Sequence, residues 1–508
     1  MKRILRILCF ALFFTLIGNG TIVYGQYNNN YWVFGDSSGV EFNNGSLNNF
    51  RSSMKFLRGS SSISNVNGLI AYSAKFDFTV PHNGKVWNKF HQQMQNGDFI
   101  YGAGWYHDRL FLPVPDSDSL LYLFSCCVTS SCPFGLYYTL IDLTANNDSG
   151  NIIQKNVPLN NAPAFDALMA VQHGNGRDWW LLYQRWDGSN GVPSYNNFYV
   201  YLIDSSGISL NSEQFVGQNH ATGLGHLIFS PDGEHFANVS FANLIQLYNF
   251  DRCSGLISLW ETVETENGLT VNYYYMSSAF SNDGSKLYVS EYSTTSNPSR
   301  LLQYDLTAPV ISASKTAIYQ FLDPNIGVGD LKLAPDSKIY LGCHDEIAFL
   351  YPDTFYTYIN QNLSVINQPD SLGLACDFQP FSFYLGGART YYGLPNNPDY
   401  ELGAWVGSPC DTLTVGLTEN DEKYDVFFQA WYNPEWNMIH VNAAKLKGKS
   451  GMLRLFDVEG RVVYEREVDV MSGGYFTGEI NMNGVASGVY IVSLTTEQDK
   501  VQGKVLKF

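Results

Sequence analysis

The chain has 508 residues and a formal net charge of −17 at pH 7, with 34 Tyr, 33 Phe, 10 Trp and 45 Gly. So acidic a surface disfavours nucleic acid and anionic membrane surfaces as partners, because both are negatively charged. Aromatic and β-branched residues suit pleated, half-buried strands, so the composition predicts an ordered all-β protein. The chain is longer than a single hydrophobic core usually supports, which predicts at least two domains.

The first 25 residues have the pattern of a secretory signal peptide. Basic residues within the first six positions precede an apolar stretch from Ile7 to Ile17, which is shorter than the ~20 residues of a membrane-spanning helix. Cleavage after Gly25 would leave Gln26 as the new N-terminus. No later segment is apolar enough to span a bilayer, so we expect no transmembrane segment in the mature chain.

The body of the chain repeats a unit of about fifty residues. Clear copies begin at Phe229, Phe280 and Leu333, 51 and 53 residues apart, and each passes through an Asp-containing turn into a second strand. Such turns between period-two apolar runs mark hairpins. A period of this length with four short strands is typical of a β-propeller blade. We predict a propeller of six to eight blades, with seven favoured, over residues 26–398; the alternative, stacked β-sandwiches, would repeat nearer ~100 residues.

The start of this body has a recognisable pattern. Residues Tyr31 to Asn43 contain Trp-x-Phe-Gly followed by Gly-x-x-Phe-Asn. This pattern resembles the opening of a group of secreted propellers from the Bacteroidota, whose later landmarks match at Val86 to Asn88 and Gly393 to Asn396. The resemblance implies the architecture and no particular chemistry.

Three motifs suggest catalytic or metal chemistry and are given structural interpretations instead. Gly35 to Gly39 fits G-x-S-x-G, but a β pattern resumes after it where a nucleophile elbow needs a helix, so we predict a hairpin turn. His220 and His226 lack the helical i, i+4 spacing of a zinc site. Residues Cys343 to Glu346 collect four possible ligands, yet strand neighbours point to opposite faces. No metal or other cofactor is therefore predicted.

Carboxylates near blade turns are the candidates for hydrolysis. Paired carboxylates about 5–10 Å apart serve glycoside hydrolysis, although most Asp residues at turns only cap them. An aromatic cluster nearby could stack on sugars, with core packing as the favoured interpretation. The residues are Asp166, Asp178, Asp187 and Asp330 for the carboxylates, and Trp179, Trp180 and Trp186 for the cluster.

The cysteines predict disulfides and at least one free thiol. Loss of the signal peptide leaves seven cysteines, and an odd number in an exported chain leaves at least one unpaired within it. We predict a disulfide between Cys376 and Cys410, which flank the end of the large domain. A second is predicted between Cys132 and one of the adjacent pair Cys126 and Cys127. A metal site there is disfavoured, because no second cysteine pair or nearby His completes it.

The last part of the chain is predicted to be a separate module. Residues 399–429 contain Gly, Pro and a polar run, which predicts a linker. Residues 430–508 show period-two alternation with a tight turn from Asp457 to Gly460, which predicts a small β-sandwich.

The order of motifs in this module resembles the type A C-terminal sorting domain of the type IX secretion system of the Bacteroidota. The motifs are an Asn-Pro entry, an Asp-x-x-Gly-Arg turn, a Gly-Val-Tyr strand and a basic end; Tyr432 departs from the family, which usually has Pro there. The resemblance implies an immunoglobulin-like fold, recognition by the secretion machinery, and delivery to the outer-membrane surface or the medium after removal of both end segments. The residues that carry it are Asn433, Pro434, Asp457, Gly460, Gly488, Tyr490, Lys504 and Lys507.

These observations predict an exported propeller. They define its secretion pathway better than its function. The leading hypothesis is a binding or adhesion module that presents one propeller face to an extracellular glycan or protein. The alternative is an extracellular hydrolase of polysaccharide or peptide with carboxylates in the channel. A third possibility is a structural surface component, which requires self-association. The sequence singles out no catalytic residue and no ligand-binding residue.

Overall fold

The structure is a computed structural model, and it describes fifteen stretches of the chain. The predicted cleavage site at Gly25 and Gln26 lies outside them, as do Trp186, Asp187, His220 and Glu346. The described residues are 27–43, 46–55, 59–75, 84–102, 107–128, 132–185, 197–219, 222–266, 272–293, 297–345, 355–411, 426–434, 436–457, 460–471 and 474–507.

Seven antiparallel sheets form a ring. The strands are β1 (Tyr27–Asn28), β2 (Tyr31–Phe34), β3 (Asp36–Asn43), β4 (Ser46–Lys55), β5 (Ser60–Asn65), β6 (Gly68–Lys75), β7 (Gly84–Asn88), β8 (Arg109–Pro113), β9 (Leu120–Cys127), β10 (Gly135–Asp142), β11 (Asn151–Asn160), β12 (Ala164–Gln172), β13 (Trp179–Arg185), β14 (Asn197–Asp204), β15 (Gly207–Phe215), β16 (Gly225–Phe229), β17 (His235–Ser240), β18 (Ile245–Phe250), β19 (Ile257–Glu264), β20 (Tyr273–Phe280), β21 (Lys286–Ser293), β22 (Ser299–Asp305), β23 (Thr316–Phe321), β24 (Ile326–Leu333), β25 (Ile339–Asp345), β26 (Asn362–Ile366) and β27 (Phe378–Tyr384). Short helical turns lie at Ala145–Asp148, Ile311–Ser314 and Gly373–Cys376.

These strands make a seven-bladed propeller, which confirms the predicted fold. Blade 1 is β2–β4, blade 2 is β1 with β5–β7, and blades 3 to 7 are β8–β11, β12–β15, β16–β19, β20–β23 and β24–β27. Inner strands of successive blades contact one another in the order β2, β5, β8, β12, β16, β20 and β24, and Trp32 of blade 1 packs against Tyr340 of blade 7. The fifty-residue repeat therefore corresponds to one blade.

Apolar side chains fill the space between neighbouring blades. Phe198 of blade 4 packs against Phe236 and Tyr248 of blade 5, with ring centroids 5.6 and 5.5 Å apart. Burial of one such ring stabilises the fold by ~1.5–3 kcal/mol. A middle strand is covered on both faces, so β9 is buried along its whole length and its sequence is apolar without alternation.

A C-terminal segment, residues 389–397, closes the ring. The backbone N–H of Asp330 in blade 7 donates to the carbonyl oxygen of Tyr392 at 2.7 Å, and the N–H of Asn396 donates to Ser60 of blade 2 at 2.7 Å. Arg389 forms a bridge with Asp36 in blade 1. The segment is buried throughout. Because it joins the last blade to strands near the N-terminus, the two ends of the propeller hold each other in place.

The disulfides differ in part from the prediction. Cys127 bonds to Cys132, whereas Cys410 bonds to Cys253. The predicted pairing of Cys376 with Cys410 is wrong, because Cys376 is a buried free thiol in a turn of blade 7. Cys126 is also free and buried.

Cys410 lies beside Cys253 and not Cys376 because residues 399–411, the first part of the predicted linker, are attached to blades 4 and 5. The guanidinium of Arg252 donates to the carbonyl oxygen of Gly403 at 2.5 Å. The N–H of Trp405 donates to the carbonyl oxygen of Gly174 at 2.8 Å. These contacts bring Cys410 to Cys253, with Cα atoms 5.4 Å apart.

The C-terminal module is a sandwich of two sheets, ordered β28-β29-β32 and β31-β30-β33-β34. A single apolar cluster that includes Ile439, Leu455 and Val492 lies between the sheets. The strands are β28 (Phe427–Asn433), β29 (Met438–Ala444), β30 (Ser450–Asp457), β31 (Val462–Asp469), β32 (Phe476–Asn481), β33 (Gly488–Thr496) and β34 (Lys500–Lys507).

Several residues of the sorting motif stabilise this sandwich directly. The Asp457 carboxylate accepts the N–H of Arg461 at 2.9 Å, and Gly460 in the same turn has a φ of 79°. The Tyr490 hydroxyl donates to the carbonyl oxygen of Ala486 at 2.7 Å. The ammonium of Lys507 donates to two backbone carbonyls, at 2.8 and 2.6 Å. The motif thus describes turns and strand ends of the module.

The sandwich packs against blades 3 and 4 of the propeller. The hydroxyl of Tyr122 donates to the amide oxygen of Gln429 at 2.8 Å. The side-chain amide of Asn442 donates to the hydroxyl of Tyr138 at 2.8 Å, and Trp431 lies edge-on to the same tyrosine ring. The contact combines polar side chains with aromatic packing.

Candidate binding site at the channel mouth

The repeated turns surround one mouth of the propeller channel. In blade 5 the hydroxyl of Ser230 donates to Asp232 at 2.5 Å, and in blade 6 that of Ser281 donates to Asp283 at 2.8 Å. These side-chain bonds fix the turns that follow β16 and β20. The signature that identifies the repeat therefore also places the ends of the inner strands at this mouth.

A pocket of about 270 Å³ opens between these turns. Its walls come from the ends of four inner strands, β12, β16, β20 and β24, and from residues 396–402 on the remaining side. Apolar residues, with two Phe rings among them, form the larger part of the wall, and Asn and Ser residues share the rest with the ionisable groups. The apolar lining is Met169, Val171, Leu227, Ile228, Phe229, Phe280, Leu331, Leu333 and Leu402.

Three ionisable side chains interrupt the apolar wall. Lys332 donates from its ammonium to the carbonyl oxygen of Asn397 at 3.1 Å, and burial lowers its pKa to about 8. Asp399 and Glu401 are exposed at the rim. Partial desolvation by the neighbouring protein nevertheless raises the pKa of each carboxyl group, and the charge of Asp399 adds to the shift at Glu401. The pocket thus combines a desolvated cation with two rim carboxylates.

Below the pocket, buried polar side chains fill the channel. The carboxylate of Asp330 accepts the N–H of Leu394 at 2.9 Å and lies 3.3 Å from Nε2 of His107. The ring of His226 lies 4.2 Å from that of His107, and its Nδ1 accepts the N–H of Ser278 at 3.1 Å. Burial is the main reason that the pKa of His226 is well below 6.5. These groups close the channel beneath the pocket.

The candidate carboxylates do not form an open pair. Asp166 is 0% exposed on β12 and Asp330 is 1% exposed on β24. Asp178 binds Asn175 and Arg177 at 2.6 and 2.7 Å and so fixes a turn. Within the described chain, the carboxylates predicted for catalysis are therefore covered by protein.

The other residues that the sequence suggested for catalysis, sugar stacking or metal binding lie in turns or in packed parts of the fold. Ser37 lies in a hairpin that leads from β2 into β3, so the G-x-S-x-G match is a turn. Trp179 and Trp180 are buried in β13, each 2% exposed. His344 in β25 lies against Tyr392, with ring centroids 3.8 Å apart. In the residues that the structure describes, no group of three or more His, Cys, Asp or Glu is placed to hold a metal ion.

Sequence reasoning missed Lys332, although the repeat contains a signal for it. Aligning the copies at Phe229, Phe280 and Leu333 places Lys332 opposite Ile228 and Ala279. A charged residue where two sister blades have apolar ones is an exception that would have identified this position. The contribution of residues 396–402 to the pocket depends on ring closure and has no local signal.

Together these features define an exported propeller with a sorting sandwich. Residues 429–507 match the family described as the secretion system C-terminal sorting domain. The chain therefore carries a type IX sorting domain, which implies engagement of that secretion machinery and delivery to the cell surface or the extracellular space. Among the described residues, no helix is long and apolar enough to cross a membrane. No curated protein matches the chain.

Solved propellers overlap the chain at low similarity. The propeller domain of Cps50 (Swd1) from Myceliophteria thermophila is 9% identical, with a TM-score of 0.35, and 62% of this chain and 93% of that chain are covered. The Dos1 propeller is 13% identical, with a TM-score of 0.34 and coverage of 62% and 72%. Sqt1 from Chaetomium thermophilum, bound to the N-terminus of a ribosomal protein, is 12% identical, with a TM-score of 0.36 and coverage of 69% and 86%.

Proposed function

We propose that this protein is an extracellular binding module for a protein partner, and that the channel-mouth pocket receives an apolar side chain of that partner. The observation that carries the proposal is the mainly apolar pocket of about 270 Å³ at the centre of one propeller face. Concave apolar sites with a few polar groups are the usual form of ligand sites. In the proposed life cycle, the protein acts at the surface or in the medium after both end segments are removed.

The composition of the pocket favours a protein over a glycan. Sugar rings bind by stacking on flat aromatic faces with many hydrogen bonds around them, whereas aliphatic walls suit an apolar side chain. Leu227, Leu331 and Leu333 form such walls. Apolar anchors that fill pockets supply most of the energy of many protein interfaces.

One observation favours the alternative, an extracellular hydrolase. Asp399 and Glu401 place two carboxyl groups two residues apart at the rim, and a raised pKa of the kind found there is what a general acid needs. A screen of the purified protein against polysaccharides and peptides tests this alternative. Turnover that Glu401→Gln abolishes would favour the hydrolase over the binding module.

The proposal is tested by selection from a random peptide library displayed with free C-termini. We expect the protein to select peptides that share an apolar residue, and Leu333→Glu to weaken their binding at least about tenfold. The matched control is Leu256→Glu, which makes the same change at a residue that is 60% exposed and outside the pocket. Equal binding by both variants would overturn the assignment of the pocket.

A further inference from the structure

Lys332 is a half-buried cation that lines the pocket. Its ammonium has three N–H donors, of which one goes to the carbonyl oxygen of Asn397 at 3.1 Å. The indole ring of Trp32 is 5.8 Å from the same nitrogen. In the described part of the chain, Lys332 makes no ion pair within 4.0 Å, although it lines the pocket. Two donors therefore remain for a ligand.

A desolvated charge gains most from a partner of opposite sign. Removing an ammonium from water is costly unless an anion or several hydrogen bonds replace the lost hydration. Asp330 and Asp399 act on Lys332 only from a distance, and burial outweighs them. A carboxylate that entered the pocket would supply the missing partner and two charge-assisted hydrogen bonds.

The rest of the pocket limits what can carry that carboxylate. The aliphatic walls require an apolar body, and about 270 Å³ is room for roughly one large side chain with its backbone atoms. At the rim, the exposed carboxylates of Asp399 and Glu401 repel further negative charge. They favour a basic group just outside the pocket.

We propose that the pocket recognises the C-terminus of a polypeptide whose last residue is apolar, with the terminal carboxylate on Lys332 and a basic residue upstream near Asp399 and Glu401. This deepens the proposed function, on which it rests. A C-terminal residue combines a carboxylate and an apolar side chain on one carbon atom, which matches the adjacent cation and aliphatic wall. An internal segment of a partner would leave Lys332 unpaired.

The test uses fluorescent hexapeptides ending in Lys-Ala-Leu, made as the free acid and as the C-terminal amide, with the purified full-length chain. We expect the free acid to bind at least about tenfold more tightly than the amide. Lys332→Met should abolish that difference, and Lys332→Arg should restore part of it. Lys89→Met, at an exposed lysine of blade 2, is the matched control and should leave the difference unchanged.

The outcomes separate this inference from the proposed function. Equal binding of acid and amide would overturn the role of Lys332 while leaving a peptide-binding pocket. Competition by N-acetyl-leucine at the affinity of the peptide would identify a small amphiphilic acid as the ligand and overturn the polypeptide C-terminus. Absence of binding by both hexapeptides, together with no selection from the displayed library, would overturn both proposals.

Discussion

The backbone N–H of Asp330 donates to the carbonyl oxygen of Tyr392 across 2.7 Å, which joins the inner strand of blade 7 to the segment that closes the ring. The same aspartate accepts the N–H of Leu394 through its carboxylate, at 2.9 Å. Two contacts from one residue thus hold the closing segment. The end of the closing segment, Asn396 and Asn397, also lines the pocket, so formation of the site depends on closure of the ring.

Gly329→Ala is expected to destabilise ring closure. A Cβ at this position would lie 2.2 Å from the carbonyl oxygen of Tyr392, so the closing segment must move. We expect a loss of about 2–3 kcal/mol in the free energy of unfolding, measured with urea. The matched control is Gly342→Ala, whose Cβ would lie no nearer than 3.2 Å to its first neighbour, the side chain of Thr390. Equal losses in the two variants would contradict the closing role.

The stability of the propeller should decrease in mild acid because of His226. Burial holds its pKa well below 6.5 in the folded state, with further lowering from His107 and Lys332. Below pH 6.5 the unfolded chain therefore binds a proton that the folded chain does not. The contribution of His226 to the free energy of unfolding is therefore complete above pH 6.5. It is lost as the pH falls toward the pKa of His226 in the folded state.

The pH dependence of His226 is measured by urea unfolding between pH 7.5 and 5.5. One such site gives a slope of up to about 1.4 kcal/mol per pH unit. His226→Gln should show a shallower slope than the natural protein. An unchanged slope in His226→Gln would rule out this histidine as the source.

The two disulfides should differ in how much they contribute to the free energy of unfolding. The bond between Cys253 and Cys410 spans 157 residues, and that between Cys127 and Cys132 spans 5. Loop-closure entropy in the unfolded chain gives about 5 kcal/mol for the first and about 2 kcal/mol for the second. Urea unfolding of the two paired Cys→Ser variants measures the difference. Equal losses would show that local contacts, and not loop length, determine these contributions.

Removal of residues 430–508 should stop export at the periplasm. The predicted N-terminal signal would still direct passage across the inner membrane, while the segment that matches the sorting family is lost. Cell fractionation with an antibody to the propeller measures the distribution. Circular dichroism of the truncated protein is the control, because the sandwich also packs against Tyr122 and Tyr138. Undiminished surface display of the truncated protein would contradict the sorting role.

The fold follows from local patterns, whereas the pocket depends on contacts distant in sequence. The turns after Phe229 and Phe280 are set by Ser and Asp side chains within a few residues, so the repeat alone predicts blades. Cys410 reaches Cys253 only because residues 399–411 cross to blades 4 and 5. No local spacing could choose Cys253 over Cys376. The environment of Lys332 likewise requires Asn397, which comes from the closing end of the ring.

The most direct test of the account is a crystal structure of the full chain with the tightest peptide from the displayed library. The account predicts an apolar side chain of the peptide enclosed by Leu227, Leu331 and Leu333 at the channel mouth. A peptide bound along the outer strands or in a different cavity, with the channel mouth empty, would contradict it.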